Sequence, residues 1–435
     1  MSRAKDRITK FTNCRLVEGD SLTKQDLLIN ATSGKIIRGQ EEFYGLNRVP
    51  DTVIDLGGRI VAPGFIDVQL NGAVGFDFSI LPDDMAAYSS GIRRVNKALV
   101  KTGVTSYLPT LTSQKSEVYL KSLPFLGPSG FTRMPGDGAE SLGAHCEGPF
   151  LSLTKNGVHN VEFIQQAPRG FADLEDCYGA GNLRVRTKAP GISNSCPAPI
   201  KMITAAPEVG SITSTISEIV SRDIVFSIGH SESTYEQASK AVEAGATMIT
   251  HLFNAMRPLH HRNPGIIGVL GAAGGLPRPF FGVIADGIHL HPTCVKLAFN
   301  AHPDGCILIT DAMSLAGLKD GIYDWTNGDR IIKRGALLTL EGSDKLAGSS
   351  ATLAECVSNF LNWTGATIPG AIKTVTSTPA KMLGLASTKG TLSSGADADI
   401  VVLSEERSEL GYLKLNVDQV WKFGVKVHDR HETQY

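Results

Sequence analysis

No run in these 435 residues approaches the ~20 apolar positions that a membrane-spanning helix needs, which speaks against a membrane protein. The seven cysteines (14, 146, 177, 196, 294, 306 and 356) are odd in number, scattered and free of any C-x-x-C pair. Neither a disulfide framework nor a cysteine-rich zinc site is expected, and a reducing, cytoplasmic setting fits. Charge of one sign is also lacking: 42 Lys and Arg against 43 Asp and Glu leave a formal −1. That balance recommends no nucleic-acid partner and no membrane surface, so a charged ligand must be met by a local cluster. The basic N-terminus, MSRAKDRITKFTN, is followed by no apolar segment, so no signal peptide is expected. Internal repeats and low-complexity tracts are missing as well.

What is present is a change of rhythm. The first 60 or so residues hold short β-like pieces such as RITKFTNCRLV and TVIDLGGRIV, punctuated by Gly, Asn and Asp. From Ala62, short β-branched runs alternate with stretches of helical period. The candidate strands are GFIDVQL, TSYLPTL, SLGAHCEG, KMITAAPE, DIVFSIGH, TMITHLFN, FFGVIADGIH and CILITDAM. Helical stretches such as MAAYSSGIRRVNKALVKTG and TYEQASKAVEAG separate several of them. About eight buried strands alternating with helices predict a (β/α)8 TIM-like barrel. A doubly wound sheet is the alternative, but no G-x-G-x-x-G follows the first strand. Near Lys389 the pattern reverts to β. The expected organisation is a barrel over 62–387 beside a small β-sandwich domain formed by both chain termini, 1–61 and 388–435. The Gly-, Pro- and Ser-rich stretch 179–199 reads as a surface insertion on the face opposite the site.

A barrel places its reacting groups at the C-terminal ends of the strands. The third predicted strand ends at Glu147, the fifth at His230, the sixth at His251, the seventh at Asp286 and His289, and the eighth at Asp311. Each alone suits a helix cap or a loop hydrogen bond. Together they suit a divalent ion held by Glu147, His230 and His251, with Asp311 beside it as general acid/base. Zn²⁺, Fe²⁺ and Co²⁺ share such ligands, zinc being the first expectation. The loop HHRNPG adds Arg262 beside His260 and His261, a residue type suited to phosphate or carboxylate.

These residues lie in segments that resemble a known family. APGFIDVQLNG, HCEGPF with KNGVHN, GHS, THLFNAM with RNPG, ADGIHLHP, ITDAM, LAGSSATL and KGTLSSGADADIVVL occur in order from about Val61 to Leu403. Together they are similar to the N-acetylglucosamine-6-phosphate deacetylases of the amidohydrolase superfamily. The resemblance implies hydrolysis of the N-acetyl amide of N-acetyl-D-glucosamine 6-phosphate to glucosamine 6-phosphate and acetate. It implies one divalent metal per subunit on Glu147, His230 and His251, and catalysis by Asp311. His289 would steady either the carbonyl oxygen or the sugar. Substrate contacts would come from Val158, His159, Asn254, Ala255, the turn Asp286, Gly287, Ile288 and His289, and Leu346, Ala347 and Gly348. Arg262 would bind phosphate in the neighbouring subunit's site, which implies a homodimer.

Many metal-dependent hydrolases carry two histidines, two residues apart, on the first strand; Gln69 and Asn71 stand there in this chain. That argues against a cyclic-amide hydrolase with two metals, which is the nearest alternative. It leaves open a second, weaker site near Gln69, Asn71 and His145. A non-catalytic scaffold of the same fold is the alternative from another class, and it is disfavoured because the candidate set is complete.

Overall fold

The structure is a computed structural model. It describes residues 7–432 except 39–48, 185–197, 273–274, 325–329 and 344. Most of the 179–199 insertion therefore lies outside the described residues.

Eight parallel strands run β1 Phe65–Leu70, β2 Val104–Leu111, β3 Ala144–Glu147, β4 Ile200–Ala205, β5 Val225–Ile228, β6 Met248–Ile249, β7 Phe280–Ile284 and β8 Cys306–Ile309. Each pairs in parallel with the next in sequence from β1 to β8. All residues of β2 and β3 are buried, as a strand covered on both faces must be. The barrel expected from the alternating runs is thus present. It closes from β8 to β1 at their C-terminal ends, where the Asp311 N–H donates to the Gln69 carbonyl at 3.0 Å. The Thr310 hydroxyl donates to Asp67 at 2.6 Å in the same seam, and burial pushes the Asp67 carboxyl up to about 7.

Helices start where side chains satisfy their free N–H groups. Asp84 caps Met85–Leu99, and Thr234 with Gln237 forms a capping box on Tyr235–Glu243. A second box, Thr352 with Glu355, opens Leu353–Thr364.

Both ends of the chain meet in two packed sheets. One orders Lys35–Ile37, Leu27–Asn30, Ile8–Thr12 and Thr52–Asp55. The other runs from Val425–Asp429 through Leu413–Lys422, Ile400–Arg407, Ile60–Pro63 and Arg15–Glu18 to Ser21–Lys24. Phe11, Ile29, Val61, Ile400, Val402 and Trp421 share their core, with the Phe11 and Trp421 rings edge to face at 5.0 Å.

One element breaks the βα rhythm. Between β8 and the helix Leu353–Thr364, four antiparallel strands (Gly321–Asp324, Arg330–Arg334, Leu337–Leu340, Leu346–Ser349) form a hairpin sheet where a helix alone would be expected. Its last strand carries Leu346, Ala347 and Gly348 towards the barrel, and Ser349 bridges to Ala312 just past β8.

Candidate metal and active site

Three strand ends converge. Glu147 closes β3, His230 follows β5 by two residues, and His251 follows β6 by two. The chain turns sharply at each histidine, with φ of +49° at His230 and +26° at His251, and Asp311 after β8 also has a positive φ of +47°. Non-glycine residues in this region carry strain, and such strain gathers at functional positions. Gly229 is needed beside His230, because a Cβ there would come within 2.7 Å of both Thr204 and Thr250.

The result is a triangle of donor atoms. Glu147 Oε1 lies 3.2 Å from His230 Nε2 and 3.1 Å from His251 Nε2, and the two Nε2 atoms are 2.9 Å apart. Bonds of about 2.0–2.1 Å to a tetrahedral ion would place such atoms roughly 3.3 Å from one another. All three side chains are buried. The donor set fits a divalent cation, because two imidazole lone pairs and a carboxylate meeting in one dry space need positive charge between them.

The tautomers sharpen the assignment. His230 Nδ1 lies 2.7 Å from the Lys155 carbonyl, which can only accept. The proton therefore sits on Nδ1, and the Nε2 lone pair is free to bind an ion. His159 is the reverse case. The Ser113 backbone N–H donates to its Nδ1 at 3.0 Å, so the neutral ring carries its proton on Nε2, 3.8 Å from Glu147 Oε2. Burial, with His230 as a further contributor, pushes His159 down to about 3, so it stays neutral. His159 stands within 4.8 Å of the Glu147 and His230 donors, yet presents an N–H rather than a lone pair.

His145 is turned away from the ion's place. Its Nε2 meets the Thr204 hydroxyl at 2.7 Å and its Nδ1 the Thr110 hydroxyl at 3.4 Å, so neither ring nitrogen is spare. Gln69 and Asn71 do reach the centre, as donors. Gln69 Nε2 donates to Glu147 Oε1 at 2.9 Å and to Asp311 Oδ1 at 3.2 Å, and Asn71 Nδ2 donates to the same Asp311 oxygen at 2.8 Å. Two carboxamides thus hold two carboxylates together where paired histidines would hold a second ion.

The carboxylates respond in opposite directions. Burial alone would raise Glu147, but the imidazoles crowded against it, His230, His251 and His159, hold it well below the usual range. Burial, followed by the charge of Glu147, pushes Asp311 up to about 6. Both amides bind Oδ1 of Asp311, and among the described residues no hydrogen bond holds Oδ2.

Other sequence candidates are placed as follows. Asp286 accepts from the Ile288 and His289 N–H groups at 2.8 and 2.9 Å and meets His289 Nδ1 at 2.7 Å. Gly287, with φ +78°, makes that turn possible. Asn254 Nδ2 is buried without a partner among the described residues, an unspent donor next to Ala255. Val158, His159, Leu346 and Ala347 line one cavity of about 520 Å³, with Gly348 the next residue along the strand. Arg262 is exposed in the loop after β6, and among the described residues no carboxylate pairs with it.

Residues not singled out from sequence also shape the site. Lys155 and Ser113 set two tautomers. Glu208, after β4, accepts from the Ser231 and Ser233 hydroxyls at 2.7 Å each and from the Glu232 N–H at 2.6 Å, tying the His230 turn down. KNGVHN contains Lys155 and marked this loop, but a carbonyl contact leaves no trace in residue identity.

Fold and site together define a barrel hydrolase with a set of carboxylate and imidazole donors that could hold a metal at its C-terminal rim. A family model described as the amidohydrolase family matches residues 60–427. A mouse N-acetylglucosamine-6-phosphate deacetylase is 40% identical over 92% of both chains. The crystal structure of N-acetylglucosamine-6-phosphate deacetylase from Thermotoga maritima superposes with a TM-score of 0.72 at 28% identity, covering 97% of this chain and 99% of its own. The Mycobacterium smegmatis deacetylase, as a mutant in complex with N-acetyl-D-glucosamine-6-phosphate, gives 0.74 at 26%, covering 98% and 100%. The chain belongs to the amidohydrolase family and, within it, to the N-acetylglucosamine-6-phosphate deacetylases.

Proposed function

We propose that this protein hydrolyses the N-acetyl amide of N-acetyl-D-glucosamine 6-phosphate, releasing acetate and glucosamine 6-phosphate. The observation that carries the reading is the Glu147–His230–His251 triangle lying beside an Asp311 carboxylate held by Gln69 and Asn71.

Glu147, His230 and His251 would hold one divalent ion. Bound there, it supplies Lewis acidity towards the amide carbonyl and makes water acidic enough to attack near neutral pH. Asp311 takes a proton from the attacking water and delivers one to the departing nitrogen. Its two oxygens suit this division of labour, since Oδ1 is fixed by two amides and Oδ2 is open. His159 offers its Nε2–H from a fixed, neutral ring to oxygen on the acyl carbon as negative charge gathers there. Asp286 orients His289 towards the sugar, and Asn254 supplies a donor that has no partner among the described residues.

The phosphate belongs to Arg262. Its exposure on the rim suits a group that completes a neighbouring subunit's site, hence a homodimer. Zinc is the ion this nitrogen–oxygen set favours first, with iron and cobalt compatible. No described helix is long and apolar enough to cross a membrane.

Incubation with N-acetylglucosamine 6-phosphate and assay of the freed amine decides the reading; folded, metal-loaded protein that fails to turn over would refute it. Metal analysis should find about one tightly held ion per chain, lost in Glu147→Ala. Arg262→Ala should raise KM about tenfold or more for the phosphorylated sugar and leave unphosphorylated N-acetylglucosamine unaffected. An equal effect on both sugars would remove the phosphate role.

A further inference from the structure

An acetyl group ends in one methyl, about the 30 Å³ share of a single water molecule. The cavity on the His159 side of the site measures about 520 Å³. Its position within the barrel is specific. Loops following β1, β2 and β3 supply Ile80, Gln114, Val158 and Phe163, and the far wall is Met313 and Leu346 near the hairpin sheet. Apolar and polar side chains share the lining, Phe163, Met313 and Leu346 beside Ser79, Gln114 and Lys345, and two large apolar side chains, Ile80 and Val158, remain open at 43% and 59% exposure. Open apolar side chains around a concave space mark a place where something apolar is covered.

The bonds of the reacting carbon assign the space. This step rests on the function proposed above. The sugar is directed to Asn254 and the Asp286–His289 turn, after β6 and β7, and the nitrogen faces Asp311 after β8. The carbonyl oxygen faces His159 and the ligand triangle. The acyl chain is the remaining substituent, and it is left to the side of β1 and β2, past His159 and Val158 of the loop after β3.

We propose that this cavity is an acyl pocket, and that the protein hydrolyses glucosamine 6-phosphate carrying N-acyl chains longer than acetyl. The bond change is that of the acetyl reaction. Water oxygen joins the acyl carbon, the C–N bond breaks, the nitrogen leaves with the electron pair and gains a proton, and a short-chain carboxylate is released.

The test compares N-acetyl, N-butanoyl and N-hexanoyl glucosamine 6-phosphate as substrates of the metal-loaded protein, with the freed amine as readout. Values of kcat/KM for the two longer chains should lie within about tenfold of acetyl, the penalty of an imperfect but apolar fit. Ile80→Trp, which fills the cavity from its open rim, should lower the N-hexanoyl value about tenfold or more and leave N-acetyl unchanged. Ile80→Ala should retain N-hexanoyl turnover, and unchanged thermal midpoints of both variants would separate a filled pocket from a damaged fold. N-acetyl turnover with N-hexanoyl below about one-hundredth of it would overturn the acyl pocket alone. So would an Ile80→Trp variant that depresses all three substrates equally, since the cavity would then hold the sugar. Turnover of N-hexanoyl without N-acetyl would support the pocket and overturn the deacetylase reading, and turnover of neither would overturn both.

Discussion

Asp311→Asn is expected to lower kcat by about 10³-fold while the protein keeps its bound metal and its thermal midpoint. The backbone at Asp311 is held independently of the side chain, through its N–H to the Gln69 carbonyl at 3.0 Å, so the barrel seam survives the change. Asparagine is nearly the same size but has no carboxylate to take a proton from water or to hand one on. It can still accept from Gln69 and Asn71 through its amide oxygen, which keeps the geometry and removes the chemistry. Parallel measurements of turnover, metal content and unfolding therefore separate the roles. If the variant retained more than about a tenth of the activity, Asp311 would be no more than a scaffold for the two amides.

Lys422→Ala is expected to cost about 3–5 kcal/mol of folding stability, measured by denaturant unfolding of the metal-loaded protein. Lys422 is fully buried, at 0% exposure, and donates to Glu140 at 2.6 Å and Asp399 at 2.7 Å. Lys389 joins the same two carboxylates and also meets Asp397 at 2.9 Å. Asp397 is paired outwards with Lys35 at 2.7 Å and Arg133 at 2.9 Å. This cluster links the barrel, through Glu140 beside β2 and Arg133, to the sheets made by the chain ends. Removing one ammonium leaves the carboxylates buried with too little compensating charge, the costly way to disturb such a network. Burial opposes ionisation of both lysines. It keeps Lys422 below its ordinary value, whereas Asp399, Glu140 and Asp397 together carry Lys389 above.

The same cluster sets a direction for acid. Burial would raise Asp397 and Asp399, but Lys389, joined by Lys35 and Arg133 at Asp397 and by Lys422 at Asp399, outweighs it and holds both below the ordinary carboxylate value. A carboxylate with a depressed folded pKa contributes stability that is present above the unfolded value, about 3.9, and is lost as pH falls through the folded one. This cluster's share of the stability should therefore be constant near neutrality and decline below about pH 4, whereas the Asp67 carboxyl, pushed up by burial to about 7, acts in the opposite direction between about pH 4 and 7. Lys422→Ala should have a shallower acid slope than the parent, because Asp399 is then less depressed. A slope as steep as the parent's would assign acid sensitivity to other groups.

The barrel was legible because its signal is local. Buried strands such as VTSYLPTL must be apolar throughout, and amphipathic helices such as the one at Met85–Leu99 must repeat with the helical period. The rim of titratable residues followed from the same alternation, since Glu147, His230, His251 and Asp311 all stand at strand ends. The hairpin sheet at Gly321–Ser349 was not read, because its short runs lie where the barrel rhythm calls only for a loop and a helix. Glu140, Lys389 and Lys422 gave no signal, since Glu140 lies 249 and 282 positions from the two lysines and all three are of types that are usually exposed.

Residue order alone settled which chemical groups this protein has and which rim they share, because strand polarity sends every βα junction to one end of the barrel. It also settled that Gln69 and Asn71 replace a histidine pair. Tertiary contact decided what those groups do. Whether a neutral histidine can bind an ion or can donate a proton depends on the partner of its other nitrogen, and those partners are the carbonyl of Lys155 for His230 and the N–H of Ser113 for His159. Backbone groups are the same in every residue, so the choice between ligand and donor had no letter in the sequence and was made only by the fold.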